Sequence, residues 1–170
     1  LEGDVITDAK NDYDQYNNPS VSMSMNTDGA RRWANLTKNN IGRAIAIESS
    51  KMGANIILTG RNEERLQETM SMLDAGEHQY MVADITNEED MANLVEQLPT
   101  LTGCVHSAGI IGLTPIQAIT TTKINQFEQI NLHAPILLTK QLIKRKKLAK
   151  NSSVVFISSA AGVYRVSTAN

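Results

Sequence analysis

The rhythm of apolar and polar positions along the chain changes near residue 40. Before it, SVSMSMN (20–26) alternates strictly, with Val21, Met23 and Met25 on one face and three serines on the other. A two-residue period predicts a strand with one face in water. TDGARRWANLTKNN then predicts a short helix, with Thr27 or Asp28 as N-cap and Asn39-Asn40 as its stop. Residues 1–19 are rich in Asp, Asn and Tyr, poor in aliphatics, and end at Asn18-Pro19, which reads as loop or disorder.

After Ile41, helical periodicity alternates with short apolar runs. A helix over about 42–52 leads to strand NIILT (55–59), and a helix over about 62–74 leads to QYMVA (79–83). A helix over about 87–97 precedes GCVHSA (103–108), and a long amphipathic helix over about 123–147 precedes SVVFISS (153–159). This alternation predicts an α/β fold with a parallel sheet.

Composition changes little in that picture. At 170 residues and 41% apolar content, the chain suffices for one hydrophobic core. The net charge of −2 gives no field favouring nucleic acid or anionic membrane. Residues 1–40 carry six acids and four bases, the remainder twelve of each, so the charge also divides near residue 40. No apolar run approaches the ~18 residues of a membrane span. The lone Cys104 and three scattered histidines offer neither an internal disulfide nor metal-ligand spacing. A reducing, cytoplasmic setting is compatible with that pattern. The N-terminus shows no signal-peptide pattern and no initiator Met, consistent with a fragment.

Candidate chemistry gathers where strands end. The strand over 55–59 runs into Gly60-Arg61-Asn62. In a doubly wound sheet the second strand's end faces the adenosine ribose. An acid there would hold a 2′-hydroxyl, whereas Arg61 suits paired, charge-assisted bonds to a 2′-phosphate, favouring NADP over NAD. The alternative is a surface arginine near a helix start. Asp84-Ile85 closes the third strand, where a carboxylate could accept from an adenine amino group; capping the next helix is the competing role. HSAGI (106–110) places small residues Ser107, Ala108 and Gly109 where a ligand could approach closely. Asn131 falls on an otherwise apolar helix face, and a buried amide there needs partners, either as a structural tie or in a polar site. Ser158 and Ser159 end the last strand. KRKKLAK (144–150) reads as the solvated last turn of the long helix, where cations suit the dipole.

In order and spacing, IGRAIAIESSKMGANIILTGRN, VADIT, HSAGI, QINLHAPILLTKQL and SSVVFISSAAG resemble the short-chain dehydrogenase/reductase family over about residues 41–162. The resemblance implies a Rossmann-like sheet and an NADP-dependent oxidoreductase acting on a small-molecule carbonyl or alcohol, with no nucleic-acid partner. Homo-oligomerisation is left open. It puts Gly42 under the pyrophosphate, Arg61 at the 2′-phosphate, Asp84 and Ile85 at the adenine, and Ser107, Ala108 and Gly109 along the cofactor. It makes Asn131 and Ser159 two members of a catalytic tetrad. Ser107 stands where the family usually has Asn.

Two features depart from the family. Its glycine-rich turn would fall on Asn35 to Gly42, yet only Gly42 is glycine, with Leu36 and Asn40 in place of the others. The apolar first strand leading into that turn is missing as well. Downstream, the family's Tyr and the Lys four residues later do not occur, and Tyr164 lies too near Ser159 to replace them. Residues 18–47 resemble instead the exported domain of the SecD protein-export family. The implied organisation is an N-terminal SecD-like segment (1–40) and a Rossmann domain (41–170) lacking its first strand and C-terminal part, joined as a chimera at letters that suit both. The chain is then an incomplete oxidoreductase with negligible turnover, or a non-catalytic interaction module. The module reading requires Ile45 and Ile47 to lie in a strand. Either SVSMSMN enters the missing slot, burying Ser22 and Ser24 at ~1–3 kcal/mol each if unpaired, or the sheet is split or carries a separate N-terminal strand-helix appendage, and the serines favour this second arrangement.

Overall fold

A computed structural model describes residues 6–13, 19–25, 40–112 and 114–158. Strands β1 (Ile6–Tyr13) and β2 (Pro19–Met25) form an antiparallel hairpin in which Tyr13 pairs with Pro19 and Ala9 with Met23. Residues 6–13 are therefore a strand, correcting the reading of 1–19 as loop. Their composition is polar, and what orders them is a backbone ladder to β2, a pairing that composition does not reveal. The helix expected before Asn39 lies outside the described residues.

Residues 40–51 form helix α1. Then follow β3 (Ile57–Gly60), α2 (Glu63–Met70), β4 (Gln79–Val82), α3 (Glu88–Gln97), β5 (Leu101–His106), α4 (Thr121–Glu128), α5 (Ala134–Lys144) and β6 (Leu148–Phe156). Local chemistry sets the helix starts. Asn62 accepts from Arg65 N at 2.8 Å, and Asn87 accepts from Glu89 N and Asp90 N, each satisfying amides that a helix N-terminus leaves free.

The parallel strands fall into two pairs, β3 with β4 and β5 with β6. Between β3 and β5, where a doubly wound sheet has its first strand, no described residue pairs with either edge. Among the described residues the sheet is thus split, and β2 belongs to the hairpin rather than to the slot. One helical layer spans the split. Met91, Leu94 and Val95 of α3 pack with Leu138 and Leu142 of α5, and this cluster takes in Ile57 and Met81 from one pair and Cys104 and Leu148 from the other.

The long helix expected over 123–147 is α4 and α5 joined by a wide π-turn over Gln129–His133. It ends at Lys144 because Lys146 adopts φ 56°, so KRKKLAK is a helix end, a turn and a strand start. Lys147 Nζ donates to the carbonyls of Glu96 and Leu98 at the end of α3, and Arg145 pairs with Glu96. Those cations close α3 rather than only their own helix. Strand β6 accordingly begins five residues earlier than expected, with a bulge opposite Leu101–Gly103.

Candidate functional site

Helix α1 is held over the strand ends by polar ties. Arg43 reaches Glu68 of α2 with both terminal nitrogens, at 3.2 and 2.8 Å, in the forked geometry that favours Arg over Lys. Ser50, buried, donates to Ile47 O and accepts from Asp74 N at 3.1 Å. Neither tie was visible as a motif, since each joins residues about 25 positions apart. At its start α1 comes close to the end of β5: a Cβ on Gly42 would stand 2.6 Å from Ser107 Oγ. Glycine here permits close helix–strand packing, a role known for the last glycine of a dinucleotide-binding turn.

The carboxyl ends of β3 and β4 bring Arg61 and Asp84 together, with Arg61 Nη1 3.6 Å from Asp84 Oδ2. Arg61 is mostly exposed, at 63%, and Asp84 about one-third exposed. Asp84 Oδ1 accepts from the hydroxyl and amide of Thr86, at 2.6 and 2.9 Å. The Thr86 hydroxyl, then the Thr86 amide and Arg61, hold its carboxyl below the usual carboxylate range against the opposing effect of burial. Asp84 therefore does not cap α3, the alternative weighed from sequence; Asn87 does. Ile85 is half-buried against the α3–α5 cluster.

The exit from β5 is fixed by Asn131. Its Oδ1 accepts from Ile110 N at 2.7 Å and its Nδ2 donates to Ile110 O at 2.8 Å. Gly109 leaves room for this clamp, since a Cβ there would lie 3.3 Å from Asn131 Oδ1. The amide is exposed rather than buried, which corrects its placement on the apolar face. On a regular helix Asn131 would share a stripe with Leu138 and Leu142, seven and eleven residues on; the π-turn rotates it off that stripe.

His106, not singled out from sequence, anchors the end of β5. Thr139 Oγ1 donates to Pro135 O, so the His106 Nε2–H donates to that hydroxyl at 2.8 Å. The imidazole stacks on Phe156 with centroids 4.8 Å apart. Burial holds its pKa below the ordinary 6.5. Below pH 6.5 the unfolded chain then takes up a proton that the folded chain refuses, so stability falls as pH drops through that window. Urea unfolding at pH 7.5 and pH 5 is expected to show that loss in the native chain and a flatter profile in His106→Gln. Equal slopes would remove His106 as the cause.

All seven expected cofactor residues, Gly42, Arg61, Asp84, Ile85, Ser107, Ala108 and Gly109, line one cavity of about 1270 Å³. Asn131 joins them through Ile110, while Ser159 and Tyr164 lie outside the described residues. Among the described residues no cluster of His, Cys, Asp or Glu could hold a metal ion, and no helix is long and apolar enough to cross a membrane.

Two family profiles match the chain: short chain dehydrogenase over residues 37–170, and the P1 head subdomain of SecDF over residues 1–51. A 3-oxoacyl-[acyl-carrier-protein] reductase of Rickettsia bellii is 32% identical over 123 residues, 72% of this chain and 51% of that protein. The protein translocase subunit SecD of Rhodothermus marinus is 57% identical over 47 residues, 28% of this chain and 8% of that protein. A crystal structure of a short-chain dehydrogenase/reductase from Brucella melitensis superposes with a TM-score of 0.67 at 28% identity, covering 75% of this chain and 55% of that one. The chain spans about half the length of the curated reductase it matches.

Proposed function

This chain belongs to the short-chain dehydrogenase family through residues 37–170, and on that premise we propose that it is the NADP-holding part of an oxidoreductase acting on a small-molecule carbonyl or alcohol. The observation that carries the reading is the convergence of Arg61, Asp84, Ile85 and the Ser107–Gly109 exit on one cavity at the carboxyl ends of parallel strands, the place where such sheets bind ligands. The adenosine end fits the chemistry of its donors: a largely exposed guanidinium for a 2′-phosphate, beside a carboxylate oxygen facing it at 3.6 Å. The pyrophosphate end fits less well, because Gly42 is the only glycine between Asn35 and Gly42.

When bound, the nicotinamide supplies or accepts the hydride. Asn131 would hold the β5 exit in place beside it, and Ser159 would hold the substrate oxygen. No tyrosine of the 170 residues is followed by a lysine four positions on. A positioned acid/base contributes about 10²–10⁴-fold, and we expect this chain alone to turn over negligibly. The lone Cys104 accords with a cytoplasmic setting.

The two family matches overlap over residues 37–51, which supports a chimera with its seam in α1 and domains dividing near residue 40. The export-segment alternative required Ile45 and Ile47 to be in a strand. They lie in helix α1, which favours the reductase reading. Calorimetric titration of the chain should give a saturating, weak isotherm with NADPH and a weaker one with NADH. Flat traces with both would overturn the proposal.

A further inference from the structure

Two arginine–carboxylate pairs beside the cavity differ in a way that their charges do not explain. Arg43 and Glu68 meet through both terminal nitrogens and both carboxylate oxygens, at 3.2 and 2.8 Å. Arg61 and Asp84, at the adenosine end, approach through Nη1 and Oδ2 at 3.6 Å. A charge-assisted bond of this kind closes to about 2.7–2.9 Å, so the second pair stops short of one.

The difference lies in what else holds the carboxylate. Asp84 Oδ1 already accepts from the Thr86 hydroxyl at 2.6 Å and from the Thr86 amide at 2.9 Å. A carboxylate oxygen offers two lone pairs, and these two donors fill them. The backbone of Asp84 is fixed as well: its amide donates to Asp90 Oδ2 at 3.0 Å, and its carbonyl accepts from Asn87 N at 2.9 Å. Rotation about the Cβ–Cγ bond, a soft torsion, would turn both oxygens towards Arg61. That rotation breaks the bonds to Thr86, which lines the same cavity and is half-buried.

Resting on the proposed role of Arg61 as the 2′-phosphate ligand, we propose that Thr86 is a positioning residue for nucleotide preference: by occupying Asp84 Oδ1 it stops that carboxylate from capturing Arg61. A carboxylate beside a phosphate-binding arginine is a competitor for it, because both anions suit the same planar fork. Glu68 shows what a carboxylate with both oxygens turned to an arginine does in this chain. Asp84, with one oxygen engaged elsewhere, leaves the other donors of a guanidinium that is 63% exposed to a 2′-phosphate.

The test uses the full chain and compares Thr86→Val, nearly the same shape without the hydroxyl, with Thr86→Ser, which keeps it. The first readout needs no nucleotide: nitrogen NMR of the Arg61 guanidinium, assigned by its loss in Arg61→Gln. Rotation of its terminal groups should slow about threefold or more in Thr86→Val, as a forked ion pair requires, and stay native in Thr86→Ser. In calorimetry Thr86→Val should bind NADPH about fivefold more weakly, the upper end of what an exposed ion pair contributes, with NADH binding unchanged. Unaltered Arg61 rotation in Thr86→Val, an equal loss for both nucleotides, or a Thr86→Ser chain that behaves like Thr86→Val would each overturn the inference. Should Thr86→Val not fold, Thr86→Ala carries the same comparison. Flat NADPH traces from the native chain would remove the cofactor reading, while the rotation measured without nucleotide still decides whether Thr86 restrains Asp84.

Discussion

Leu142→Ala is expected to lower the unfolding free energy by about 3–5 kcal/mol, measured by urea denaturation followed by circular dichroism. Large-to-alanine changes in packed cores cost about 2–5 kcal/mol through lost transfer energy and the cavity left behind. Leu142 belongs near the top of that range because it is 1% exposed and sits in the α3–α5 layer. With no described strand between β3 and β5, that layer is what packs against both strand pairs. Ile143, its neighbour in sequence, is 62% exposed, and Ile143→Ala should change stability by less than about 0.5 kcal/mol. Similar losses at both positions would mean that α5 does not pack as described.

Arg61→Ala is expected to weaken NADPH binding by about ten- to a hundredfold while leaving NADH binding within about twofold. Charge-assisted hydrogen bonds contribute about 1.5–3 kcal/mol, and each 1.4 kcal/mol is a factor of ten. The guanidinium is largely exposed, so the effect should shrink in high salt. Its 3.6 Å approach to Asp84 is a surface pair of the kind that adds little to stability, so the melting temperature should barely move. Arg61→Lys should recover part of the preference, keeping the charge without the fork. An equal loss for both nucleotides would show that Arg61 acts on the fold or the pyrophosphate rather than the 2′-phosphate.

Much of the fold after residue 40 was legible because its signals are local. Helical and apolar periods placed α1, β3, α2, β4, α3 and β5 to within a few residues, and the absence of an apolar first strand pointed toward the separation of the two described strand pairs. What the chain concealed depends on partners distant in sequence. Strand β1 is polar and is defined by its ladder to β2. The end of α5 and the early start of β6 depend on Lys146 turning left-handed and on Lys147 reaching the carbonyls of α3. His106 read as one letter of a strand, because its partners Thr139 and Phe156 come from α5 and β6. The expected cofactor residues other than Gly42 were read from strand-end positions, but the tie between Asp84 and Thr86 and the packing of Gly42 on Ser107 appear only in three dimensions.

The wide turn at Gln129–His133 has a consequence for how this helix can vary. It decouples azimuth from spacing: α5 keeps its leucines aimed at the interior while the residue serving the Ile110 loop is oriented separately. Removing one residue from the turn would restore uniform winding with α4 and α5 keeping their faces, because a wide turn absorbs one extra residue, and would take Asn131 out of the position from which it reaches Ile110. Length changes in the loop before α4 leave that position as it is. Indels should therefore be tolerated between Pro115 and Thr120 and disfavoured within the five positions of the turn.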